Sequence, residues 1–247
     1  MTLRETRRVA ATLALPVLLA LSANPAVASA VTRDNMVGPT QAPRSSAQVA
    51  LNACADKAYS LLGPKWFGPL KWRFQASSVP ADMNVSNTLN VIKRSFDNMT
   101  GARNDCGLPD TVSATSTYLG TTLTAPGVTK RGFCKAKDGK NVVGFAPLPS
   151  GILAVTCTWG SHGHMKETDI RVNSNMYWAL TVGSCHYWQE LLEPTMTHEI
   201  GHAFGLGHVG ERKHGRLTMS TTSDGSCDNH ESTLGWGDIR GMTHLYP

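Results

Sequence analysis

Apolar and polar residues alternate through Leu70-Lys71-Trp72-Arg73-Phe74-Gln75, the period of two that a half-buried strand requires. Four further stretches, residues 111–122, 141–147, 152–159 and 167–173, also read as strands, the first of them rich in Thr, Val and Tyr. Elsewhere helical spacing replaces the alternation. Val85, Leu89, Ile92 and Phe96 recur every three or four residues and predict a helix that ends near Gly101. Three more helices are expected over residues 47–62, 189–204 and 236–245. Gly63-Pro64 and Gly68-Pro69 punctuate the chain after the first, and a Gly/Ser-rich stretch, residues 220–235, precedes the last. No internal repeat is visible.

The N-terminus breaks this pattern. Arg4, Arg7 and Arg8 form a charged start, residues 9–21 run apolar, and Ala28-Ser29-Ala30 ends in an A-x-A form, which together read as a secretory signal. Cleavage is expected after Ala30, with a second candidate site after Ala28. The apolar run is too short to span a bilayer, and no later stretch approaches that length, so the expected product is soluble and extracellular. Residues 31–48 carry Gly38-Pro39, Pro43, Ser45 and Ser46 with few large apolar groups, and read as a flexible leader or short pro-segment. The folded domain is then expected over residues 49–247.

Composition adds two bounds. The chain's net charge of +5 includes three arginines and one glutamate from the signal, so the mature charge of +3 gives no argument for nucleic-acid binding. All six cysteines, Cys54, Cys106, Cys134, Cys157, Cys185 and Cys227, lie beyond the signal, and an even count in an exported chain favours three disulfides. Six cysteines allow fifteen pairings. The expected set joins Cys134 to Cys157 across two predicted strands and Cys185 to Cys227 around the region of densest histidines. Cys54 with Cys106 remains.

The chemistry concentrates in His198-Glu199-Ile200-Gly201-His202-Ala203-Phe204-Gly205-Leu206-Gly207-His208, which fits HExxHxxGxxH. Residues four apart on a helix stand one turn above each other, so His198 and His202 present imidazoles to one point. Gly205 can take the positive φ that ends a helix and turns His208 back as a third ligand, leaving a fourth metal position open for catalysis. Glu199 lies off the ligand face, where it suits a general base acting on zinc-activated water. Eleven residues beyond His208, Leu217-Thr218-Met219-Ser220 has the form of a Met-turn, with Met219 as the hydrophobic floor of the site.

With these motifs the chain resembles the matrixin branch of the metzincin peptidases over roughly residues 70–247. Shorter similarities are Gly151-Ile152-Leu153-Ala154, like the matrixin edge strand, Asp169-Ile170, and Asp238-Ile239-Arg240-Gly241 followed by Leu245-Tyr246. The resemblance implies an α+β, zincin-like catalytic domain: a twisted, mostly parallel five-stranded sheet over the zinc helix, and a small C-terminal lobe, residues 209–247, with a final helix. It implies one catalytic Zn2+ held by His198, His202 and His208. Substrate polypeptide would add to the edge strand at Gly151, Leu153 and Ala154, and residues 220–235 would wall a pocket beside the zinc.

There are departures. Pro43-Arg44-Ser45 stands where a matrixin pro-segment carries Pro-Arg-Cys-Gly, so no thiolate blocks the zinc from that point. Val155 and Thr156 stand where vertebrate matrixins have a His ligand of a structural zinc, which argues against that second site despite His162 and His164. No Tyr follows Met219 as a fifth ligand. Ca2+ is a candidate second ion, with Asp105, Asp110, Asp138 and Asp169 as candidate ligands, although no EF-hand pattern is present.

The expected activity is that of a secreted zinc endopeptidase acting as a monomer on polypeptides, with neither nucleic acid nor membrane as partner. Two rivals use the same residues: a secreted zinc hydrolase of non-peptide amides, and a non-catalytic zinc-containing binding protein.

Overall fold

The computed structural model describes residues 52–223 and 225–247, together with the backbone of residues 27–33. The expected signal up to residue 26 and most of the leader lie outside the described residues. In chain order the strands are β1 (Val27–Arg33), β2 (Ser60–Leu61), β3 (Leu70–Phe74), β4 (Ser116–Thr121), β5 (Val142–Ala146), β6 (Ile152–Ser161), β7 (His164–Asn173), β8 (Trp178–Ala179), β9 (Glu190–Leu191), β10 (Leu206–Gly207) and β11 (Thr222–Ser223). The helices are α1 (Val85–Thr100), α2 (Leu192–Phe204), the single turn α3 (Glu211–His214) and α4 (Trp236–Leu245). Among the described residues no helix is long and apolar enough to cross a membrane.

Five strands make the expected sheet in the order β4-β3-β5-β7-β6, all parallel except β6, which runs antiparallel to β7. The β6–β7 hairpin turns at His162 and Gly163. Outside β6, β1 pairs antiparallel with it, and β11 pairs parallel with β1.

Alternation along the strands sorts side chains between two layers. Leu70, Trp72 and Phe74 of β3 are buried toward the helices, where Trp72 stacks on Phe96 of α1 with ring centroids 4.3 Å apart. Helix α1 starts on Asn84, whose side chain accepts the Asn87 N–H, and it buries Val91, Ile92, Phe96 and Met99 in the same core. In β6, Leu153 and Ala154 join that core, while Val155, Cys157 and Trp159 pack with Val128 and Leu148 in a smaller cluster. The Cys134–Cys157 disulfide borders that second cluster, and its loop stabilises by about 3 kcal/mol on the chain-entropy account. All three disulfides join the expected partners, the others being Cys54–Cys106 and Cys185–Cys227.

Two expectations need correction. The helix expected over residues 47–62 is not formed in its described part, from residue 52 onward; that segment makes turns and then β2, which pairs with β10 inside the zinc motif, between Gly205 and His208. Its polar groups are spent on tertiary contacts: Asp56 is buried, accepts the Ala58 N–H at 3.0 Å and pairs with His214 at 2.7 Å, while the Ala53 carbonyl accepts the Trp236 N–H. The helix expected from residue 189 begins instead at Leu192, because Glu190 and Leu191 pair as β9 with β8. Helix α4 has the expected bounds.

Candidate metal centre

Helix α2 is the most enclosed helix among the described residues, buried at every position except Glu193. Its last residues carry His198 and His202, and Gly205 caps it at φ 104°, the left-handed conformation that turns the chain out of the helix. That turn returns His208 to the end of the helix. The three Nε2 atoms stand 3.0 Å (His198 to His202), 3.0 Å (His202 to His208) and 3.1 Å (His198 to His208) apart. Among the described residues this is the one cluster of three or more His, Cys, Asp or Glu side chains close enough to hold an ion.

The surroundings fix the tautomers. His198 Nδ1 donates to the Thr218 carbonyl at 2.7 Å, and His202 Nδ1 donates to the Leu206 carbonyl at 2.8 Å. Since a carbonyl can only accept, the proton sits on Nδ1 and each Nε2 presents its lone pair to the common point. Burial pushes both rings away from protonation, His202 down to about 3 and His198 well below the ordinary range, and mutual repulsion of the imidazoliums adds to it. His208, partly exposed, is lowered by the same desolvation. Three neutral nitrogen donors converging at contact distance repel unless a cation lies between them, so the donor set fits Zn2+.

The Met-turn lies beneath. Met219 is buried against α2, and a Cβ on Gly201 would overlap its sulfur, so the glycine at that position of the motif has a packing reason. Asp238, on the first turn of α4, holds this turn in place. Its carboxylate accepts the N–H groups of Thr218 (2.9 Å), Met219 (3.2 Å) and Gly235 (2.9 Å). Burial raises its pKa to about 6 against those three donors. Sequence similarity marked Asp238 without giving it a role; the fold shows that it orients the Thr218 carbonyl and, through it, His198. Replacing Asp238 with alanine leaves three buried donors without their acceptor, and we expect a loss of at least about 3 kcal/mol in urea unfolding, with weakened zinc retention.

Glu199 is fully buried next to His198, and its Oε2 receives a short hydrogen bond from Thr156 Oγ1 of β6. The sequence marked Thr156 only as a departure from a structural zinc site and gave no sign of this contact. Of the residues expected to bind substrate, Gly151 precedes β6, while Leu153 and Ala154 lie within it, and Ala154 pairs with Val31 of β1.

The other candidates do not gather at the centre. His162 occupies the hairpin turn and His164 stacks on Phe67 at 4.1 Å. His230 pairs with Asp228 and His186 stacks on Trp188. The four aspartates named for calcium serve backbone and side-chain donors: Asp110 accepts from Val112, Asp138 from Lys140, Asp105 from Thr233, and Asp169 from Gly127 and Val142.

Compared with known families, residues 137–247 match the model of the peptidase family described as Matrixin, a span that contains β5, β6, β7, the three histidines and Met219. No curated protein matches the chain.

Proposed function

From a chain that is a matrixin-like metzincin, we propose a secreted zinc endopeptidase that cleaves polypeptides in extended conformation, with Glu199 as its general base. The observation that carries this reading is the convergence of His198, His202 and His208 beside the buried carboxylate of Glu199. Zinc, when bound, supplies Lewis-acid polarisation of a carbonyl and acidifies water. The protein supplies the rest. Glu199 takes the proton of the attacking water and delivers it to the departing amine. The Nδ1 contacts to Thr218 and Leu206 keep the imidazoles oriented, and burial keeps them neutral, so the full charge of the ion remains available to a developing oxyanion.

Support for a polypeptide over a smaller amide comes from the strand-accepting edge of β6. There β1 pairs with it from Val27 opposite Thr158 to Thr32 opposite Ile152, and lies parallel to β11 on its other side. A substrate strand would add along the same edge, near Gly151, Leu153 and Ala154, through backbone groups that give affinity without reading sequence. Three disulfides suit an extracellular setting.

The test is hydrolysis of denatured casein by the purified chain of measured zinc content. Cleavage that a chelator stops and added zinc restores is the expected result. A folded, zinc-loaded chain that binds a hydroxamate yet leaves every unfolded protein intact would sink the endopeptidase reading and favour a non-peptide amide.

A further inference from the structure

We propose that Thr156 is a positioning residue for Glu199, tying one carboxylate oxygen of the base to strand β6 and so fixing its orientation relative to the three histidines. The inference rests on the zinc-hydrolase reading of the site. Thr156 and Glu199 are both fully buried, and they are 43 residues apart in sequence, so only the packing of β6 on α2 brings them together. Thr156 Oγ1 lies within hydrogen-bonding distance of two atoms of Glu199, its main-chain carbonyl at 3.0 Å and its carboxylate Oε2. A hydroxyl has one hydrogen to give, and an ionised carboxylate is the stronger acceptor, so the bond goes to Oε2.

The strand makes this contact specific. Ala154 belongs to the core shared with α2, whereas Val155 and Cys157 belong to the opposite cluster, so position 156 points its side chain at the helix by the alternation of the strand. Its main chain pairs with Ile170 of β7, so the hydroxyl is carried on backbone held in the sheet. A glutamate has three side-chain torsions to fix. One fixed donor on Oε2 removes much of that freedom before substrate arrives, which is the kind of preorganisation that general-base catalysis rewards.

The measurement uses the zinc-loaded full chain with Thr156→Val, which keeps the branched shape and removes the hydroxyl, and Thr156→Ser, which keeps the hydroxyl. We expect kcat on casein-derived peptide to fall about 10- to 100-fold in Thr156→Val with KM within about twofold, zinc content unchanged, and most of the loss recovered in Thr156→Ser. A second readout does not need turnover: calorimetric binding of acetohydroxamate, whose acidic hydroxyl is bonded by the base, should weaken about tenfold in Thr156→Val and recover in Thr156→Ser. Equal kcat and equal hydroxamate affinity in Thr156→Val overturn the proposal. So does a loss that Thr156→Ser fails to rescue, or one that tracks lost zinc. If the wild type binds hydroxamate but cuts no polypeptide, the endopeptidase reading fails alone, and the binding comparison still decides the role of Thr156.

Discussion

Replacing Glu199 with glutamine is expected to lower kcat/KM on a denatured protein by about 10³-fold, while the variant still holds one zinc per chain. Glutamine preserves the shape of the side chain and can still accept a hydrogen bond from Thr156, so the substitution removes proton-accepting capacity and little else. The metal should stay because the three imidazoles, their backbone acceptors at Thr218 and Leu206, and the Met-turn below are untouched. Zinc content by mass spectrometry beside initial rates checks both halves. Wild-type turnover in Glu199→Gln would show that another group serves as base. Loss of zinc in that variant would show Glu199 acting structurally at the centre.

How far the site is legible in the sequence depends on the range of the contacts that build it. His198, Glu199 and His202 are placed by helical periodicity, and His208, six residues beyond His202, by the turn at Gly205, all within one local segment. Such geometry is written in spacing. Thr156 and Asp238 were not readable as functional, because their contacts with Glu199 and with the Met-turn span 43 and 20 residues and depend on how β6 and α4 pack. The same distinction explains the fold. Helices α1 and α4 follow from apolar periodicity and strands β3, β5, β6 and β7 from their composition, whereas residues 52–62 carry a helix-like pattern that tertiary partners override. In that segment Cys54 is tied to Cys106, Asp56 to His214, and the Lys57 carbonyl to Arg240, and each bond anchors the segment to residues far from it in sequence.

Removing the metal is expected to lower the thermal midpoint by about 10–20 °C at neutral pH. A tightly held ion at 10³ to 10⁴ times its dissociation constant stabilises the folded state by about 4–5.5 kcal/mol, and a domain of this size shifts by about 2–4 °C per kcal/mol. Acid should widen the difference at first. The three imidazoles are held below their ordinary range by burial, His202 at about 3, so as pH falls below 6.5 the unfolded chain takes up protons that the metal-free fold refuses. Their contribution therefore destabilises the metal-free fold progressively from pH 6.5 toward pH 3. Two carboxylates act in the opposite sense. Burial raises Asp169 to about 7 and Asp238 to about 6, so their contributions to stability return as pH falls through those values toward the unfolded carboxylate range near 4. The histidines share one cavity and outnumber these carboxylates, and at pH 5.5 we expect the metal-free chain to melt lower than at pH 7.5. The loaded chain should keep its zinc at pH 5.5, because protons compete weakly for the nitrogens of His198 and His202, which burial holds well below the ordinary imidazole range. Thermal melts with and without chelator at the two pH values read both effects. A gap between loaded and stripped protein that closes at pH 5.5 would mean that the ligands protonate like free imidazole, and that the enclosure of α2 does not protect them.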